Sequence, residues 1–225
     1  PLSEDKNRRP FSLHRTGYPG MHKYGGWIWS GDTWSTWEAL REQVAVGLNF
    51  SVSGSPFWGS DIGGFNPTPQ LTAELYVRWF QFGCFTPSFR SHGRTWHLRL
   101  PWGWNQGNPG PVEMDFDLKG RGSPDSSEYY NPLIEQICRK YLNLRYQLMP
   151  YNYSLAYEAS QTGMPMMRPL WMEFTDDERV NPIEDQYMWG SEMLIAPVVE
   201  KGAFSREVYL PAGCWYDLWN NRKYH

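Results

Sequence analysis

The chain has 225 residues, 40% of them hydrophobic, with 13 Trp contributing to an aromatic share of 17%. That is enough apolar material for a sizeable core and argues against an intrinsically disordered chain, whose composition is poor in aromatics. Lys and Arg number 21 against 24 Asp and Glu, a net charge of −3. This balance disfavours a nucleic-acid protein, which would need a basic surface.

Pro10 to Leu13 reads as a first short strand, followed by His14 and Arg15. Trp27-Ile28-Trp29 reads as the next strand and ends in Ser30-Gly31-Asp32. A helix is expected from Ser35 to Val46, with Ser35 and Glu38 as a capping box and Gly47 as the stop. Phe50 to Trp58 leads into Gly59-Ser60-Asp61. Thr68-Pro69 is expected to open a second helix with an apolar stripe of Leu71, Leu75, Trp79 and Phe82. Phe85 to Phe89 reads as a strand ending in Arg90-Ser91-His92. A long loop rich in Gly, Pro and Trp then runs from Gly93 to Ser127. A helical stretch covers Pro132 to Gln161, kinked at Pro150 and stopped by Gly163. Beyond it, Met166–Phe174, Met193–Val199 and Arg206–Leu210 read as strands. The change of texture sets a domain boundary near residue 164.

Three cysteines (Cys84, Cys138, Cys214) are too scattered for a disulfide framework, and no CxxC pair points to zinc. His92 and His97 stand five apart, but Gly93 and an irregular backbone between them argue against a metal pair. No cofactor is implied. The uncharged run Gln43 to Ser60 contains Gln, Asn, Ser and Pro and does not read as a membrane span. The chain begins at Pro1 rather than Met, so it reads as part of a longer protein. Its compartment stays open, a secreted or periplasmic one being the first choice.

Strand–helix alternation over the first 160 residues favours parallel strands with helical crossovers. Asp32, Asp61 and His92 stand just past three consecutive strands, 29 and 31 residues apart. An eightfold barrel of roughly 250 residues allots about 31 to each strand–helix unit, and doubly wound sheets have similar units. In either fold ligands bind at the carboxyl ends of the strands. Two acids and a histidine should therefore converge among aromatic rings. Aromatic faces with carboxylates suit sugars, and carboxylates are the usual groups for glycoside cleavage.

The segments Lys23-Tyr-Gly-Gly-Trp-Ile-Trp-Ser-Gly-Asp32 and Phe57-Trp-Gly-Ser-Asp-Ile-Gly-Gly-Phe65 resemble glycoside hydrolase family 31, the α-glucosidase and α-xylosidase family. The likeness continues through Phe89-Arg-Ser-His-Gly93, Tyr146-Gln-Leu-Met-Pro-Tyr151, Arg168-Pro-Leu170, Gln186-Tyr-Met-Trp-Gly190, Ala196-Pro-Val198 and Trp215-Tyr-Asp217, in order. The resemblance implies an α/β fold. Residues 1–163 would be the second half of a (β/α)8 TIM barrel, strands five to eight. Residues 164–225 would begin an all-β, β-sandwich domain. It implies Asp32 as catalytic acid/base, with Arg15, Trp29, Asp61, Phe65 and His92 as substrate-binding residues.

The implied partner is an oligosaccharide with terminal α-linked glucosyl or xylosyl residues. The family's nucleophile, an Asp in a W-x-D-M-N-E type motif, has no counterpart; Glu113-Met-Asp-Phe-Asp117 follows the eighth strand instead of sitting on the fourth. The upstream half of the barrel is therefore expected to be needed, and the chain alone to be inactive. Lys23, Ile28 and Thr33 stand where many members have Arg, His and Asn. Retaining hydrolysis sets two carboxyl groups about 5–5.5 Å apart. The acid/base must begin protonated, so desolvation of Asp32 by Trp27 and Trp29 is expected beside the charge of the nucleophile. Trp96, Trp102 and Trp104 are candidate subsite walls. A non-catalytic carbohydrate-binding module is a competing reading, though such modules are usually β-sandwiches. Transglycosylation on the same site is another.

Overall fold

A computed structural model describes residues 10–110, 122 and 124–225. Three strands, β1 (Ser12–His14), β2 (Gly26–Trp29) and β3 (Trp58–Gly59), form a parallel sheet in the order β1-β2-β3. The segment expected as a strand at Phe85–Phe89 is not one; pairing begins where it ends. Ser88 N–H donates to Trp58 O at 2.9 Å, Asp61 and Arg90 form a parallel bridge, and Ile62 N–H donates to Arg90 O at 3.1 Å. Four successive chain segments thus run parallel, as one half of a barrel wall requires. The antiparallel pairing of a β-sandwich module is absent from this part of the described residues.

Helix α1 (Trp37–Val52) crosses from β2 to β3. Its cap is Thr36, whose Oγ1 accepts from Ala39 N–H at 3.1 Å, not Ser35. Gly47 does not stop the helix; it lies inside. A Cβ there would meet the Trp58 ring at 2.6 Å and Met167 Sδ at 3.0 Å, so glycine lets α1 pack onto β3. Helix α2 (Ala73–Gly83) is capped by Thr72, four residues later than expected. Thr68 instead donates its hydroxyl to Ser35 O at 2.6 Å. The stripe of Leu71, Leu75, Trp79 and Phe82 is buried in the core.

Helices α3 (Leu133–Gln147) and α4 (Met149–Thr162) break at Leu148, just before Pro150, and α4 ends at Gly163 with φ +80°. The αL stop at Gly163 is the one expected from the sequence. A three-stranded antiparallel sheet follows, β4 (Met167–Pro169), β5 (Tyr187–Trp189) and β6 (Met193–Ile195), in that order. The expected strand at Met166–Phe174 is cut short by a one-turn helix, α5 (Leu170–Glu173). Arg206–Leu210 is not a strand: Gln186 supplies side-chain bonds to Tyr209 where a strand ladder would stand. A last hairpin joins β7 (Trp215–Tyr216) to β8 (Lys223–Tyr224). No helix of the described residues is long and apolar enough to cross a membrane.

Candidate active site

Trp27 and Trp29 alternate with buried Gly26 and Ile28, so they share the face of β2 opposite the helices. Trp27 stacks on Phe57 with centroids 4.8 Å apart and meets Phe11 at 5.9 Å. Past β2 the chain turns at Gly31, whose φ of +74° suits glycine. A Cβ at Gly31 would contact the Arg15 stem at 3.4 Å. Arg15 therefore lies along this turn, and its Nη2 donates to Asp32 Oδ1 at 2.7 Å. The Asp32 side chain is 37% exposed.

The loops after β2 and β3 are sewn together. Phe65 N–H and Asn66 N–H both donate to Thr33 O, at 2.8 and 2.9 Å. Asn66 Nδ2 donates to Asp32 O at 2.9 Å, and Ser35 N–H donates to Asn66 O at 2.9 Å. Asp61 stands just past β3 with no exposed surface. Arg90 Nη1 donates to its Oδ1, while Oδ2 is buried without a partner among the described residues. Burial pushes the Asp61 carboxyl up to about 7 against the pull of Arg90, then Arg99, with a further push from Asp32. Desolvation outweighs the ion pair because the paired oxygen is only one of two.

Trp29 lies between two such pairs. The Arg15 guanidinium carbon is 5.7 Å from its ring centroid and that of Arg90 is 5.8 Å away. His92 is half-buried, and its ring lies 5.4 Å from that of Phe65. Burial lowers the His92 pKa, helped by the positive charges of Arg90 and Arg99 and opposed by Asp32. A neutral imidazole offers one donor and one acceptor, as a sugar diol requires. All six residues singled out from the sequence thus lie at the carboxyl ends of successive parallel segments.

Two participants escaped the sequence reading. Arg90 pairs with Asp61, and its signal was its position two residues before His92, on the same face of an extended segment. Arg99 is a cation set between Leu98 and Leu100 in a loop, an unusual place for an unburdened charge. Of the loop tryptophans, Trp104 is fully buried with its ring 5.6 Å from Tyr76, and so belongs to the core. Trp96 and Trp102 are each 54% exposed. A cleft of about 640 Å³ is lined by Ser91, His92, Gly93, Trp96, His97, Arg99 and Leu100. The acidic segment Glu113–Asp117 lies outside the described residues.

Parallel segments with acids and a histidine past their carboxyl ends define a barrel-type α/β domain joined to a β-domain. Residues 2–155 match the TIM-barrel domain of the glycosyl hydrolases family 31, and residues 163–225 match the family's C-terminal domain. The chain belongs to glycoside hydrolase family 31. It is 38% identical to an α-xylosidase of Saccharolobus solfataricus over 96% of this chain and 26% of the relative. It is 37% identical to α-glucosidase 2 of Bacillus thermoamyloliquefaciens over 94% of this chain and 23% of the relative. A GH31 α-xylosidase from a soil metagenome, complexed with xylose, superposes with a TM-score of 0.81 at 36% identity, covering 99% of this chain and 32% of that one. A GH31 dextranase of Flavobacterium johnsoniae, complexed with glucose, gives 0.82 at 35% identity, covering 99% and 25%. The chain thus spans about a quarter of the length of the curated relatives it matches.

Proposed function

We propose that the full-length protein carrying this segment is a retaining α-glycosidase acting on terminal α-linked glucosyl or xylosyl residues of oligosaccharides. In this reading residues 1–163 are the second half of the catalytic barrel and residues 164–225 begin the C-terminal β-domain. Asp32 is the acid/base. It protonates the leaving oxygen while a carboxylate from outside this chain attacks the anomeric carbon, then takes a proton from the incoming water. The observation that carries the reading is the Arg15–Asp32 pair at 2.7 Å, beside Trp29 and within the field of Asp61 and His92. Arg15 fixes the direction of the Asp32 carboxyl. Trp29 and Phe65 offer apolar faces to the sugar ring. The His92 ring nitrogens accept from and donate to its hydroxyls, and buried Asp61 serves the sugar subsite through Arg90, which it holds beside the Trp29 ring. The names of the relatives, α-xylosidase and α-glucosidase, support the bond type and leave both sugars in play.

The test compares aryl α-glucosides and α-xylosides as substrates of the full-length protein. Asp32→Asn should lose activity steeply on sugars with poor leaving groups, and far less on glycosyl fluorides, whose departure needs no proton. Equal losses on both would refute the acid/base role. The 225-residue chain alone should hydrolyse neither, since its sequence holds no W-x-D-M-N-E type motif.

A further inference from the structure

Arg99 is 3% exposed, and the mechanism above gives it no task. A buried guanidinium is tolerated only when its donors are used. Arg99 Nε donates to Arg94 O at 2.8 Å and Nη1 to Gly63 O at 2.9 Å. Nη2 donates to Phe65 O at 3.3 Å and to Ser35 Oγ at 3.4 Å. These acceptors are neutral, so ion pairing does not explain the choice of Arg. They belong to three loops: Ser35 follows Asp32, Gly63 and Phe65 follow Asp61, and Arg94 follows His92. A planar fork with five N–H donors can collect carbonyls from several directions, which an ammonium cannot.

The glycines agree. A Cβ at Gly63 would lie 2.8 Å from Arg99 Nη1, and one at Gly93 would lie 2.5 Å from its Nε. Both have positive φ, +85° and +153°. Two backbone turns are thus shaped around one guanidinium. The backbone of Arg99 is held in turn: Tyr76 donates its hydroxyl to Arg99 O at 3.1 Å, and Ser91 Oγ donates to the same oxygen.

We propose that Arg99 is a positioning residue: its guanidinium sets the relative placement of the three strand-end loops that carry Asp32, Asp61 with Phe65, and His92. The inference rests on the α-glycosidase reading for its kinetic consequence, but not for its geometry. Burial pulls the Arg99 pKa down to about 10, so it stays charged at neutral pH. That charge also acts on the site. It lowers the pKa of His92 together with Arg90, against Asp32.

The experiment uses Arg99→Ala and Arg99→Lys in the full-length protein, after wild-type activity on an aryl α-glycoside is measured. A misplacement on the ångström scale costs about 100-fold in rate, so kcat/KM should fall by roughly that factor in Arg99→Ala. Millimolar guanidinium should restore part of the loss by refilling the cavity. Urea, planar but uncharged and with fewer donors, should restore less. Arg99→Lys should stay folded, remain impaired, and not respond to guanidinium. A second readout needs no substrate: the pH dependence of His92 carbethoxylation should shift upward in Arg99→Ala and return with guanidinium. A wild type without glycosidase activity would sink the functional reading, and the carbethoxylation arm would still decide the role of Arg99. Wild-type kinetics in Arg99→Lys would overturn the proposal. So would a folded Arg99→Ala that guanidinium leaves unchanged in both readouts. Failure of both variants to fold would assign Arg99 to the core alone, and would equally overturn it.

Discussion

Asp61→Asn at the full-length level separates the cost of a buried carboxylate from its geometry. The Asp61 side chain has no exposed surface, and burial raises its pKa from 3.8 to about 7 despite Arg90. Below pH 4 the carboxyl is protonated in both folded and unfolded chains. Between about 4 and 7 the folded chain holds a proton that the unfolded chain has released, so stability falls as pH rises through this window. Above 7 both forms are ionised and the loss is complete. Three pH units at about 1.36 kcal/mol each set an upper limit of about 4 kcal/mol. Asn has the same shape and does not titrate. The melting temperature of Asp61→Asn should therefore gain on wild type as pH rises from 4 to 7, then hold constant. At about 2–4 °C per kcal/mol for a domain of this size, the gain is up to roughly 8–16 °C. Loss of the Arg90 partner adds an offset that depends little on pH. Thermal melts of both proteins in matched buffers between pH 4 and 8 supply the comparison. A difference that is flat, or that moves in favour of wild type with rising pH, would mean that Arg90 rather than burial controls Asp61.

Three further outcomes can be checked directly. Asp32→Asn should lower kcat on substrates with poor leaving groups by about 10²–10⁴-fold, the usual contribution of general acid catalysis, as read in steady-state kinetics. Gly47→Ala should destabilise by about 1–2 kcal/mol in thermal melts, although the same change on an exposed helix would gain nearly 1 kcal/mol, because overpacking against Trp58 outweighs helix propensity. A stabilised Gly47→Ala would contradict the close approach of α1 to β3. Trp96→Ala should leave melting unchanged, since the ring is 54% exposed, while raising KM for oligosaccharides more than for aryl monosaccharides.

The spacing of Asp32, Asp61 and His92 was legible because Asp32 and Asp61 follow parallel strands and His92 follows a segment bridged in parallel at Arg90, and the interval between them is set by the helix that joins each pair. Arg15, Trp29 and Phe65 came from the family resemblance, and the structure brings them to the same place. Helix boundaries were less legible. Thr36 and Thr72 won the caps from Ser35 and Thr68 because the last two face other loops: Ser35 accepts from Arg99, and Thr68 bonds Ser35 O. Gly47 looked like a stop because a close approach between a helix and a tryptophan leaves the same trace in sequence as a helix end. Trp104 looked like its exposed neighbours Trp96 and Trp102; only the packing against Tyr76 tells it apart. Arg90 and Arg99 stayed invisible because their partners, Asp61 and the carbonyls of Gly63, Phe65 and Arg94, are distant along the chain or are backbone.

Arg99 has a counterpart on the other side of His92. From α3, Arg145 donates to Cys84 O and Thr86 O at 2.8 Å and to Pro87 O at 3.0 Å. The stretch bearing Arg90 and His92 is therefore pinned at its entrance by one guanidinium and at its exit by another. Such a stretch has a fixed length. A deletion or insertion between Pro87 and Arg94 would pull one pin from its carbonyls, and one between Pro101 and Pro109 would disturb Trp104, which packs on the Tyr76 that holds Arg99 O. Variation in this lineage should accordingly spare the segment from Pro87 to Pro109, and attempts to re-engineer the pocket by grafting loops have their permissive boundary only past it.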